Sequence, residues 1–262
     1  MRSAARLLAI LDLFNDEQSV WTAEQAARAL DVSVSTAYRY IRSLCEAELL
    51  VAITGDGYRL GPAILKYDRL IRLTDPLLTA SQSIVAQLQT DAGDGTTTFL
   101  ARMYRESVMC VLSIAGPDGP PAISYERGRP MPMFRGATSK IILAYLPRRT
   151  LKRLYETYED EIQRSLQIET WREFLEYLRT MRRRRLCVSR GEVDSNVVGM
   201  AAPIFDDRDN VTASLSIVGK ASETTEAELD RLSILLRSAA DAITARLVQS
   251  GDSVPFSPRI VA

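Results

Sequence analysis

Over residues 4–14 apolar side chains recur every three to four positions, with Ala5, Leu8 and Leu11 on one line and Ile10, Leu13 and Phe14 beside it, the period of an amphipathic helix. The polar run NDEQS ends it. Thr22 stands three residues before Gln25, a capping-box spacing, and Ala26, Ala27 and Leu30 supply the buried side of a second helix. A tight turn, Asp31-Val32-Ser33, leads to a third, SVSTAYRYIRSLCEAEL, with Ser33 as its N-cap. At about 100° per residue, Val34, Ala37, Tyr38, Ile41, Leu44 and Cys45 share one arc, and Ser35, Thr36, Arg39, Arg42 and Ser43 share the opposite one. The period then changes: LLVAITGDGYRL places two β-prone segments around a Gly-Asp-Gly turn and predicts a hairpin. Helix, short turn, polar-faced helix and hairpin in series predict a winged helix-turn-helix.

Gly61-Pro62 closes the hairpin, and the amphipathic stretch AILKYDRLIRLT, stopped by Asp75-Pro76, reads as a linker helix. Beyond it a helix (LLTASQSIVAQLQTDA) precedes strands TTTFLARMYR, SVMCVLSIAG and PAISYERG, then helical stretches SKIILAYL, RTLKRLYETY and TWREFLEYLRTMRRRR. Two further strands, GMAAPIFDD and NVTASLSIVGK, joined by Arg208-Asp209-Asn210, lead to a closing helix over residues 225–248. The expected organisation is residues 1–61 for the winged helix-turn-helix, 62–76 for the linker helix, 77–249 for a second domain and 250–262 for a flexible tail carrying two prolines and no period. The fold class is α+β with two domains, the second a mixed or antiparallel sheet flanked by helices.

Composition narrows the chemistry. The 262 residues, 46% hydrophobic and 25% charged, suffice for a sizeable core, and 33 basic residues balance 33 acidic ones, so any basic surface must be local. The chain has no histidine, which removes Ser-His-Asp and Cys-His catalysis and the common zinc sites together. Cys45, Cys110 and Cys187 are odd in number and far apart, so a disulfide framework is not expected and a reducing cytoplasm is. Cys110 and Cys187 lie in apolar strand contexts and read as core thiols. No apolar run approaches the ~18 residues of a membrane span. Neither a metal nor a cofactor is expected. An enzyme reading would have to rest on Glu192, Asp194, Asp206 and Asp207, which show no catalytic arrangement.

The outer face of the third helix carries the strongest candidate chemistry. Ser33, Ser35 and Thr36 can bond phosphates or bases, and Arg39 or Arg42 can reach guanine O6 and N7 in a major groove. On the wing, Tyr58 and Arg59 either touch DNA or, for Tyr58, pack under the hairpin. From position 33 to 72 six basic residues (Arg39, Arg42, Arg59, Lys66, Arg69, Arg72) face four acidic ones (Glu46, Glu48, Asp56, Asp68), an excess of two. So small an excess calls for two copies on a two-fold symmetric site, hence a homodimer. The same fold used for protein contacts alone is the remaining alternative. The arginines at 182–185 end a helix, where cations complement the dipole and stay solvated.

These motifs, in order and spacing, resemble the IclR-type transcriptional regulators: SAARLLAILDLF, AARALDVSVSTAYRYIRSL, GYRLGPAILKY, GRPMPMFRGATSKIILAYL and VVGMAAPIFDDRDNVTASLSIVG, from about residue 3 to 248. The resemblance implies a winged helix-turn-helix joined to a GAF-like effector domain. It further implies dimers or dimers of dimers on palindromic operators, and a small metabolite, often a carboxylate or aromatic acid, that modulates DNA binding by a repressor or activator. Carried over, the effector loop is Phe134, Arg135, Gly136, Ala137, Thr138 and Ser139, and the facing strands offer Ser189, Val197, Gly199, Met200, Ser216 and Val218. Backbone N–H groups at the start of that helix can cradle a carboxylate. Ser189 stands where an acidic residue is common in the family and Gly199 where some members carry a larger one, so a roomier, less acidic pocket is expected. Arg135 and Arg190 either anchor an acid or lie on the surface.

Overall fold

The computed structural model describes residues 3–119 and 124–251. The chain divides into two compact units, residues 1–74 and 75–262. From residue 252 onward the expected tail lies outside the described residues.

In the first unit α1 (Ser3–Ala9) tightens into a 3₁₀ turn (Leu11–Leu13), followed by β1 (Trp21–Thr22), α2 (Ala23–Ala29), α3 (Val34–Glu46), β2 (Leu50–Ile53), β3 (Gly57–Leu60) and α4 (Ala63–Thr74). Thr22 and Gln25 form the predicted capping box: Gln25 N donates to Thr22 Oγ1 at 3.3 Å and Thr22 N donates to Gln25 Oε1 at 2.9 Å. The wing is a three-stranded antiparallel sheet in the order β1-β3-β2, one strand more than the sequence suggests, because Trp21 and Thr22 pair with Tyr58 and Gly57 just before α2 begins. Ile10, Ala23, Ala26, Tyr40, Ile41, Leu44 and Leu50 form the core.

That core corrects the helical wheel of α3. Tyr38 is 44% and Val34 42% exposed, whereas Tyr40 is 6% exposed. The buried stripe is Ala37, Tyr40, Ile41 and Leu44, spaced i, i+3, i+4 and i+7. Tyr40 remains inside because its hydroxyl pairs with Ser3 Oγ at 3.0 Å, so its polar tip is satisfied while its ring is buried.

In the second unit α5 (Pro76–Ala92) leads to β4 (Thr96–Tyr104), β5 (Ser107–Ala115) and β6 (Pro130–Met131), then to α6 (Ala137–Tyr145), α7 (Arg148–Thr157), α8 (Glu159–Leu166) and α9 (Trp171–Arg184). β7 (Cys187–Arg190), β8 (Val197–Phe205), β9 (Val211–Lys220) and α10 (Glu226–Ser250) complete it. The six strands form one antiparallel sheet in the order β6-β5-β4-β9-β8-β7. Strand alternation sends Leu100, Met200, Ile204, Leu215 and Ile217 into a core with residues of α5 and α10. Phe99, Ala101, Ala201 and Val218 pack instead with residues of α6, α7 and α9.

The strand expected over residues 121–128 is not formed among the described residues. Positions 121–123 lie outside them, Arg127 makes an isolated bridge to Cys110, and the ladder resumes for two residues only, at β6. Gly128 takes φ +88°, and Pro130 and Pro132 have no N–H to donate, so an edge ladder cannot extend there. The sequence reading also omits α8, whose sparse apolar positions leave Ile162 as its buried residue, and it marks the four-residue β7 only through Cys187 and Ser189, without bounds.

Candidate nucleic-acid interface and effector site

α3 is positioned by its buried stripe, which turns Ser35, Tyr38, Arg39, Arg42 and Ser43 outward. Ser33 Oγ accepts from Thr36 N at 3.2 Å and contacts the Ser35 and Thr36 hydroxyls at 3.1 and 2.8 Å, so Ser33 serves first as the N-cap. Arg42 Nε meets Glu46 Oε1 at 3.0 Å in a pair whose side chains are 82% and 65% exposed. Exposed i,i+4 pairs contribute only about 0.3–0.5 kcal/mol, little hindrance to exchanging the carboxylate for a phosphate or base. The Arg39 guanidinium lies 5.6 Å from the Tyr40 ring centroid. On the wing, Thr54-Gly55-Asp56 turns the chain, with Gly55 at φ +93° and Asp56 at φ +59°. Arg59 is exposed, whereas Tyr58 is half-buried against the core and burial pushes its phenol up. The wing tyrosine thus does the packing and the arginine stays on the surface. Val34 and Tyr38, assigned to the buried arc in the sequence reading, join the exposed face.

The second site forms where α6 begins. Gly136, at φ +79°, is its N-cap, and a Cβ there would fall 2.4 Å from the Tyr125 hydroxyl and 3.1 Å from Val193 Cγ2. Gly136 N donates to Glu192 Oε2 at 2.9 Å and Ala137 N donates to Ser189 Oγ at 3.0 Å. Thr138 Oγ1 and Ser216 Oγ are 3.0 Å apart, tying the helix to β9. Lys140 Nζ meets Glu192 Oε1 at 2.5 Å, with the lysine side chain 3% exposed and the glutamate 29%. Burial works against the charge of Lys140, yet its neighbours Cys187, Tyr177 and Glu192 carry its pKa upward. Arg135 donates to the Glu192 carbonyl, and Ser124 donates through N and Oγ to Asp194, so the loop between β7 and β8 is held at both ends.

Not every carried-over residue reaches this place. Ser189, Gly199 and Val218 lie in register across β7, β8 and β9, and a Cβ on Gly199 would lie 3.4 Å from both Ser189 Oγ and Val218 Cγ1. Ser216 lies on that face through Thr138, half-buried Val197 packs into the α6-side core, and Phe134 is buried there with its ring 5.7 Å from that of Tyr158. Ser139 is buried and its hydroxyl has no partner among the described residues. Met200 belongs to the opposite face of the sheet, in the core with α5 and α10, because adjacent residues of a strand cannot share a face. Arg190 likewise alternates away from Ser189 and pairs with Glu226 at 2.6 Å. The sequence reading did not place Lys140 here, nor Glu192, which it weighed only as a catalytic acid. The clue was a lysine in the otherwise apolar run SKIILAYL, since a charge buried in a helix requires an acid close by.

A helix-turn-helix with an exposed arginine-bearing second helix and a wing, followed by an α+β domain, is the build of a DNA-binding transcriptional regulator. The chain belongs to the IclR family: the IclR helix-turn-helix domain matches residues 3–52 and the bacterial transcriptional regulator IclR C-terminal domain matches residues 73–245. The family consists of regulators rather than enzymes. Similar relatives include the HTH-type transcriptional regulator XynR of Escherichia coli K12, 23% identical over 94% of this chain and 97% of that one. The Pca regulon regulatory protein of Pseudomonas putida is 20% identical over 92% of this chain and 82% of its own. Among solved structures, an IclR-type regulator from Silicibacter sp. TM1040 shares the fold with a TM-score of 0.77 at 22% identity, covering 97% of this chain and 98% of that one. An IclR homologue from Microbacterium hydrocarbonoxydans, complexed with 4-hydroxybenzoate, gives 0.71 at 18% identity over 94% of this chain and 98% of that one. Among the described residues no helix is long and apolar enough to cross a membrane.

Proposed function

We propose that the protein binds a palindromic operator as a homodimer or dimer of dimers, in the cytoplasm, and that a small organic acid bound where α6 begins modulates that binding. Ser35, Thr36, Arg39 and Arg42 read the major groove, joined by Tyr38, and Arg59 contacts the backbone beside it. The observation that carries the effector half is the carboxylate of Glu192 on the Gly136 amide. The start of α6, where the Gly136 N–H already meets a carboxylate at the positive end of the helix dipole, is therefore stereochemically suited to one. An effector acid takes the position of Glu192, which releases Lys140 and the loop between β7 and β8. A switch of this kind requires the acid to bind two arrangements of the dimer unequally, with a coupling of roughly 1–3 kcal/mol.

Pairing of chains is supported by α4, whose Tyr67, Leu70 and Ile71 form an i, i+3, i+4 stripe 44–52% exposed. An anisotropy titration against the DNA upstream of its own gene, at two salt concentrations and with a panel of aromatic and aliphatic acids that includes 4-hydroxybenzoate, tests the whole reading. Saturable, salt-sensitive binding that one acid shifts at least ~5-fold supports it. Affinity equal to that for random DNA under every condition overturns it.

A further inference from the structure

The arginines at 182–185 close α9, where cations complement the negative end of the helix dipole. That accounts for Arg182, Arg183 and Arg184 but not for Arg237, which sits in the middle of α10 about three turns from either end. Arg237 nevertheless lines the same concavity of about 330 Å³ as Arg183, Arg184 and Arg185. The hollow exists because β7 starts at Cys187, opposite Ala201, so Ala202 and Pro203 extend β8 beyond its neighbour and offer small side chains to the wall. Proline is tolerated at such an open edge because it has no N–H to leave unpaired.

The charges do not cancel. Asp241 is the carboxylate in the wall, and Arg185 takes it at 2.6 Å. Arg183 is held by Glu176 at 3.2 Å in an exposed pair. Arg184 and Arg237 have no carboxylate partner among the described residues; the Arg237 Nε donates to the Ser233 carbonyl at 3.3 Å. Guanidinium groups brought together from two separate elements repel one another unless an anion lies between them. Their planar forks match phosphate oxygens two at a time. A concavity of this size lies at the lower end of small-molecule pockets, and its walls suit a compact anion better than the convex rod of a duplex.

We propose that this pocket binds a small molecule bearing a di- or polyphosphate group, held by Arg184 and Arg237 and flanked by Arg183 and Arg185. It is a second ligand site, on a different part of the domain from the start of α6.

The test is isothermal titration of the full-length protein with pyrophosphate and with inorganic tripolyphosphate at constant ionic strength. The variants are Arg184→Ala, Arg237→Ala and Arg237→Lys, each checked by thermal melting. One saturable site per chain is expected, weakened about tenfold or more by each alanine and less by the lysine, which keeps the charge but loses the fork. No saturable binding up to about 10 mM, or equal affinity in wild type and both alanine variants, overturns the proposal. So does a loss of DNA affinity in the alanine variants without any binding of tripolyphosphate, which would make the cluster a nucleic-acid backbone contact.

Discussion

Lys140 and Glu192, 52 residues apart in the chain, meet at 2.5 Å with the lysine almost wholly enclosed. The pair locks the loop between β7 and β8 onto the start of α6. Replacing Glu192 by glutamine strands a buried charge, which costs about 3–5 kcal/mol for a fully enclosed pair and less here because the glutamate is 29% exposed. A loss of about 1–3 kcal/mol in urea unfolding is expected. If an acid effector competes with Glu192, the same variant binds that acid more tightly in a calorimetric titration, and unchanged or weaker binding would contradict the competition.

The recognition face makes a separate prediction. Arg39→Ala with Arg42→Ala removes two exposed guanidiniums without touching the core. Operator affinity should fall by about tenfold or more, and the slope of log affinity against log salt should shrink by roughly one for each phosphate that is no longer neutralised. Unchanged affinity and slope would show that this face does not meet DNA.

Tyr38 and Tyr40 are two residues apart and differ sharply in burial, 44% against 6% exposed. Tyr40→Ala empties part of the first core and frees Ser3, so about 3 kcal/mol should be lost from the first unit. Tyr38→Ala should change stability by no more than about 0.5 kcal/mol. Parallel denaturant melts decide the matter, and a reversed order would restore the wheel drawn from sequence.

Burial pushes the Cys110 and Cys187 thiols up to about 12 from an ordinary value of 9.0. Both should resist a thiol reagent at pH 8 in the native protein and react on denaturation. Because the folded state keeps these protons after the unfolded chain has lost them, stability is full below pH 9.0 and falls as pH rises toward about 12. The slope approaches about 1.4 kcal/mol per pH unit for each thiol. Stability that is flat between pH 9 and 11 would argue against it.

Association through α4 is tested at Ile71, which is 52% exposed. Ile71→Asp should leave the melting temperature within a few degrees of wild type while lowering the mass seen by light scattering, since it adds a charge to a free apolar stripe. An unchanged mass would locate the association surface elsewhere.

Residue spacing alone determined the winged helix-turn-helix, the capping box at Thr22 and the outward placement of Arg39 and Arg42, because a helix period, a cap and a turn are set by residues within a few positions of one another; the family came from the resemblance of whole motifs. The same local logic misled at Tyr38 and left Tyr40 unassigned, because a tyrosine fits either arc of a helix and the neighbours that pack against it decide; Met200, carried over from the family beside Gly199, falls on the other face because adjacent strand residues alternate. What only the tertiary structure decided are the Lys140–Glu192 pair, the Ser189 hydroxyl on the Ala137 amide and the concavity that Arg184 and Arg237 both line. Each brings together groups from elements about fifty residues apart. Such pairs form when packed layers bring distant segments together, and one-dimensional periodicity has no term for the distance between them.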